Sequence, residues 1–232
     1  INNKPFHLIE RHTNQSTSPF VCDIDTREPA AANPNSTRRY TKNTLISIAT
    51  HIIQSLEPYC NLLDEQRNVF IFEKKSPLHD VRKNIIKDGI HIMIPYLVAS
   101  PEVFHIARQD RISNASYSDI FANLGYTNAI DDIDDACVIE TNGWFMHGAS
   151  KPAQSSYTLT HIFNVGNDGE IEEMDTNFAT PRQLIDLLSV RYKTETVQYS
   201  TPTTFSEITE RLSLISNINK SKKKSTTPQQ HH

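Results

Sequence analysis

The chain has 232 residues, 37% of them hydrophobic and 22% charged, with a formal net charge of −4. That length suits one large domain or two small interlocked ones and buries roughly 70% of the unfolded surface. Three cysteines exclude a disulfide framework, 6 Gly and 12 Pro exclude collagen-like repeats, and no apolar run approaches the roughly 20 residues of a membrane helix. The spaced, odd set Cys22, Cys60 and Cys137 fits a reducing compartment and has no zinc-site spacing. The chain opens on Ile1 with no signal peptide, so it is expected to be a piece of a longer one.

In chain order, residues 20–25 (FVCDID) read as a short strand and Pro29 to Pro34 as a loop. A helix is expected from about Thr44 to Leu56, because Leu45, Ile48, Ala49, Ile52, Ile53 and Leu56 share one face. Residues 69–73 (VFIFE) read as a strand, 77–83 as a helical turn, and 89–98 (GIHIMIPYLV) as a second strand. Ser100-Pro101 starts a helix to about Arg111, and Ser116 caps a short one closed by Gly125. Residues 136–147 and 157–165 read as strands, and Asn167-Asp168-Gly169 turns the chain into a further strand, Glu170 to Met174. Thr180-Pro181 starts another helix, and Thr204 with Glu207 forms a capping box for a last one. Strands and helices mix without regular alternation, which predicts an α+β fold with antiparallel pairing. Residues 217–232 hold four Lys and no acid and read as a basic linker or tail. The other 216 residues carry 19 basic and 27 acidic side chains, a net of −8.

Three stretches could carry chemistry. Asp23 and Asp25, two apart on a strand, point to one face and can converge on a hard dication such as Mg²⁺. They could equally be acids on a solvated strand face. In the second stretch Ile90, Ile92 and Ile94 share the buried face, so His91 and Lys87 lie on the other, suited to phosphate oxygens or to a structural histidine. The third has Asp131, Asp132, Asp134 and Asp135 in five positions, a source of a further metal ligand or simply an acidic loop. Trp144 is expected to pack, and Lys151 follows a predicted strand where it could meet a phosphate.

In this order the stretches resemble the archaeo-eukaryotic primase superfamily. The chain is most similar to the primase (primase–polymerase-like) domain of the primase–helicases of large nucleocytoplasmic DNA viruses and their relatives. The matching pieces are Glu10-Arg11 with PFVCDID, then KDGIHIMIPYL, then IDDACVIETNGWFMHGASKP running into SYTLTHIF, across residues 10–163. The resemblance implies a primase catalytic fold over 1–216, with an RRM-like, mostly antiparallel sheet flanked by helices and an N-terminal α/β unit. It implies Asp23 and Asp25 as ligands of two Mg²⁺ or Mn²⁺ ions. The third ligand is Asp135 when counted back from Val138 and Asn142, and Asp134 when counted back from Gly148 and Lys151; Asp135 needs no gap. His91, Lys87 and Lys151 would contact the nucleotide's phosphates. Gly89 stands where relatives carry Ser and would offer its backbone N–H. Gly143 and Met146 stand where relatives carry Arg.

The activity so implied is template-directed nucleotidyl transfer, making or extending primers on single-stranded DNA from NTPs or dNTPs. A helicase domain in the same chain and a location at viral or plasmid replication sites inside the cell follow from the same resemblance. The departures at Gly89, Gly143 and Met146 leave open a module that binds nucleotide or nucleic acid and loads a helicase without synthesis. Asp-x-Asp alone also fits a glycosyltransferase, which would leave His91 and Lys151 without a role.

Overall fold

The computed structural model of the chain describes residues 8–11, 16–151, 154–191, 193–200 and 206–214. In order these form β1 (Ile9–Glu10), β2 (Ser18–Pro29), α1 (Lys42–Leu56), β3 (Asn68–Glu73), β4 (Leu78–Asp80), β5 (Ile85–Ala99), α2 (Pro101–Ser113) and α3 (Ala115–Asn123). There follow α4 (Ile130–Ile133), α5 (Cys137–Glu140), β6 (Trp144–Phe145), β7 (Thr158–Val165), β8 (Ile171–Met174) and α6 (Pro181–Leu187). Residues 206–214 are helical as well. The expected capping Thr204 and the basic tail 217–232 lie outside the described residues. No described helix is long and apolar enough to cross a membrane.

The fold is α+β. Five strands run in the order β2-β5-β3-β7-β8, β4 adds to β5, and every pairing is antiparallel. The long β5 is the spine, paired along its length with β2 and on its other side with β4 and then β3. Alternation sorts β5 as expected: Ile90, Ile92 and Ile94 join Cys22, Ile24, Val69 and Ile71 under α1, α2 and α3. Met93 joins Val21, Phe70, Phe72, Val138 and Trp144 on the opposite face. One face is therefore sealed by helices, and the other is only partly covered, by the segment carrying α5 and β6 and by the region of α6.

Local signals explain the best-read elements. Helix α1 starts at Thr41, whose side chain and backbone exchange hydrogen bonds with Thr44, and its six periodic apolar residues are all buried. Two expectations are corrected. Residues 77–83 contain a strand, because the chain turns back at Asn84 (φ 53°) and pairs Leu78 with Lys87. Residues 136–147 are not one strand. The Asp135 carboxylate accepts from Cys137 N at 2.9 Å, and Thr141 N and Asn142 N return to the Cys137 carbonyl. That winds Cys137–Glu140 into a helical turn and leaves only Trp144–Phe145 extended, paired with β1.

Candidate active site

The exposed half of the sheet carries a cavity of about 610 Å³ whose wall includes Asp23, Asp25, Lys74, His91, Lys151 and Tyr157. Strand pairing creates the acidic side. Asp23 lies opposite His91 and Asp25 opposite Gly89, all on the face away from α1. Asp135 joins them from the next segment, its N–H donating to the Asp23 carbonyl at 3.0 Å. Burial first, then the charges of Asp25 and Asp135, together push the Asp23 carboxyl up to about 7, against a smaller pull from Lys74 and Lys151. Three acids thus share one field, the electrostatic condition that a bound dication would relieve.

His91 is a buried, neutral imidazole. Burial, then Lys74 and Lys151, hold it down to about 3. Its Nε2 lies 3.6 Å from Asp23 Oδ1, too far for a hydrogen bond, and with the ring uncharged at neutral pH the contact is not an ion pair. The ring stacks on Tyr157, 3.5 Å between centroids and 19° between planes, with Trp144 4.5 Å away. Trp144 is buried and packs, as expected. Gly89 explains how Tyr157 gets so close: a Cβ there would come within 2.4 Å of the Tyr157 hydroxyl. The place where a serine side chain was expected is filled by a phenol from another part of the chain. Gly143 is similarly constrained, because a Cβ would meet Ile9 Cγ2 at 2.1 Å.

The two candidates for a third acid separate cleanly. Ile24 bridges Asp134, so the adjacent residues go to opposite sides. Asp134 points to the helices and is 1% exposed. It pairs with Arg111 at 2.8 Å and accepts from the Tyr117 hydroxyl at 3.0 Å and the Cys22 thiol at 3.6 Å. Its oxygens are committed to that core network, so it is not available to a metal beside Asp23. Lys87 also departs from expectation. It lies on the same face as His91, but its ammonium is held by Asp80 of β4 at 2.9 Å, outside the cavity wall. Lys151 does line the cavity, its ammonium 5.8 Å from the Phe145 ring centre. Glu10 is structural: it accepts from Ser189 Oγ and Val190 N, both at 2.9 Å.

Sequence reasoning counts Lys74 only among the local cations before the His91 strand and passes over two further wall residues, Tyr157 and Ser150. Lys74, just past β3, holds its ammonium 4.8 Å over the Tyr157 ring and donates to Gln154 Oε1 at 3.3 Å. Tyr157 carries no local motif, and only the glycine across from it signals its room. Ser150 is 4% exposed and its hydroxyl has no hydrogen-bond partner among the described residues.

The donor set suits a hard cation: three carboxylates in one field, one of them with its proton affinity raised. The carboxylates are not yet gathered on a common point. Among the described residues no group of three His, Cys, Asp or Glu is arranged as a finished metal site. Asp25 instead accepts from Arg27 at 2.9 Å, and Asp135 accepts from Cys137 N. A cation would share those carboxylates with their present partners or displace them.

A family model described as "C962R protein N-terminal AEP domain" matches residues 1–163. The chain is also 27% identical over 158 residues to "Putative helicase L207/L206" of Acanthamoeba polyphaga mimivirus, a match covering 68% of this chain and 16% of that protein. The chain thus spans about a sixth of the length of that relative. The family match covers more than half of the chain and agrees with the antiparallel α+β sheet that presents the acids: this chain belongs to the archaeo-eukaryotic primase (AEP) domain family.

Proposed function

We propose that this domain joins nucleotides on a single-stranded DNA template, using the cavity between β2, β5 and the 142–157 segment. The observation that carries the reading is that Asp23 and Asp25 line one cavity with Lys74 and Lys151, while Asp135, bonded to the Asp23 carbonyl, adds its charge to the same field. Asp23, Asp25 and Asp135 would hold Mg²⁺ or Mn²⁺, which when bound activates an attacking hydroxyl and offsets charge on the leaving pyrophosphate. Lys151 supplies positive charge to the phosphates. His91, uncharged at neutral pH, contributes a directed hydrogen bond to phosphate rather than a second cation. The stack of Tyr157 and Trp144 fixes the imidazole plane, so this contact is positioned before a nucleotide arrives. No covalent nucleophile is called for. The name of the mimivirus relative supports a further step, that the domain works beside a helicase in a longer chain at a site of replication.

Primer synthesis and extension on single-stranded DNA, with NTPs or dNTPs and Mn²⁺, tests the reading. Full activity after Asp23→Ala combined with Asp25→Ala would sink it. A second reading, nucleotide or nucleic-acid binding without synthesis, is favoured by the engagement of Asp25 with Arg27. Titration calorimetry separates the two: metal-dependent nucleotide binding supports the enzyme, and its absence supports the module.

A further inference from the structure

Lys74 and Lys151 stand in the wall of one cavity and face the same space. Among the described residues neither has a carboxylate at ion-pair distance. Lys74 instead rests over an aromatic ring and donates to a neutral amide. Burial, then the charge of Lys151, pushes its ammonium below the ordinary range. Two ammoniums that raise each other's energy are stabilised together by an anion that reaches both. The adjacent Ser150 hydroxyl is a buried group with unmet hydrogen-bonding capacity, which normally marks a missing partner. Lys87, by contrast, has its charge answered by Asp80 on the neighbouring strand.

We propose that Lys74, Ser150 and Lys151 form the cradle for the phosphate chain of the bound nucleotide, and that Lys87 takes no part in it. This rests on the nucleotide reading of the cavity, adds Lys74 and Ser150 to Lys151 and takes Lys87 out. Tyr157 is the positioning residue of the arrangement. Its ring carries the Lys74 ammonium on one side of the site and stacks on His91, and the missing side chain at Gly89 gives its hydroxyl room. The cradle is therefore built from the end of β3 and the loop before β7, not from β5 alone.

The test measures binding of inorganic tripolyphosphate without metal, and of dATP with Mn²⁺, to the full chain. Losing a charge-assisted contact predicts that Lys74→Met weakens both by about tenfold or more. Lys74→Arg should recover binding to within about threefold, because the cation is kept. Ser150→Ala should weaken binding by about threefold or more, and Lys87→Met should stay within about twofold. A melting curve accompanies each variant. If Lys74→Met is poorly folded, Lys74→Gln, which keeps a polar end beside Gln154, gives the same comparison. Unchanged binding by a folded Lys74 variant, or a loss at Lys87→Met as large as at Lys74→Met, overturns the cradle while primer synthesis by the wild type leaves the nucleotide reading standing. A wild-type chain that binds neither probe overturns both.

Discussion

Replacing Asp23 by Asn should stabilise the metal-free chain at alkaline pH. Asp23 keeps its proton up to about pH 7 in the folded state, against an ordinary 3.8. Between those values the folded chain binds more protons than the unfolded one, so stability falls as pH rises through that window and levels off above it. At about 1.4 kcal/mol per tenfold change in proton affinity, the penalty reaches at most about 4 kcal/mol at pH 8. The side chain is 25% exposed, so burial is substantial but water still shares the load. Asn keeps the shape and removes the charge. Thermal unfolding in chelator, followed by circular dichroism from pH 4 to 8.5, should show wild type and Asp23→Asn nearly superposed at pH 4. They should separate progressively from about pH 4 to about pH 7 and hold a constant gap above it, with the variant melting higher by roughly 2–4 °C per kcal/mol for a chain of this size. Mn²⁺ at pH 8 should then raise the wild-type midpoint and leave Asp23→Asn nearly unmoved. Parallel curves for the two proteins across the whole pH range would refute the shared-field argument.

Asp134→Ala should cost about 3–5 kcal/mol in urea unfolding, because it leaves Arg111 buried and unpaired, whereas Asp135→Ala should cost about 1 kcal/mol and abolish synthesis. The reverse ranking would mean that the two acids have exchanged roles. Gly89→Ser should displace the Tyr157 ring, destabilising by about 1–3 kcal/mol and weakening nucleotide binding, both measurable on one preparation. Binding to single-stranded DNA should fall steeply between low and physiological salt, since it relies on scattered lysines in a chain of net charge −4; affinity indifferent to salt would contradict this.

Strands β2 and β5 were legible because their alternation is strict, and with it the side of the sheet on which Asp23, Asp25 and His91 lie. The same parity put Lys87 on the face of His91, but parity is silent about distance along the strand and about the neighbour opposite. The neighbour was Asp80, on a hairpin strand of only three residues that carries no apolar alternation of its own. In 131–135 the acids have no period to read, and only the bridge between Ile24 and Asp134 tells the inward one from the outward one. Residues 136–147 misled because Val138, Ile139, Trp144 and Phe145 look strand-like, while the side chain of Asp135 winds the segment into a turn. Tyr157 and the placement of Lys74 were hidden for a different reason: they come from contacts with residues far away in the chain.

The two faces of the sheet treat charge in opposite ways, and that difference locates the site better than any motif. On the helix face each buried charge has its complement: Asp134 meets Arg111 and Tyr117, Arg108 donates to the carbonyl of Asp134, and Arg38 bridges Glu73 and Asp88. Around the cavity on the other face like stands beside like, Asp23 with Asp25 and Asp135, Lys74 with Lys151, although Asp25 also meets Arg27 and, outside the cavity, Lys87 meets Asp80. A fold selected for stability alone would have interleaved these signs, since unmatched charges in a partly buried wall reduce stability. Keeping them sorted makes sense if the complement arrives from outside, as a dication for the acids and a phosphate chain for the lysines. The two ligands then neutralise each other as well as the protein, so each should tighten the binding of the other by the same factor. Calorimetry of Mn²⁺ with and without dATP measures that factor, and independent binding of the two would break the argument.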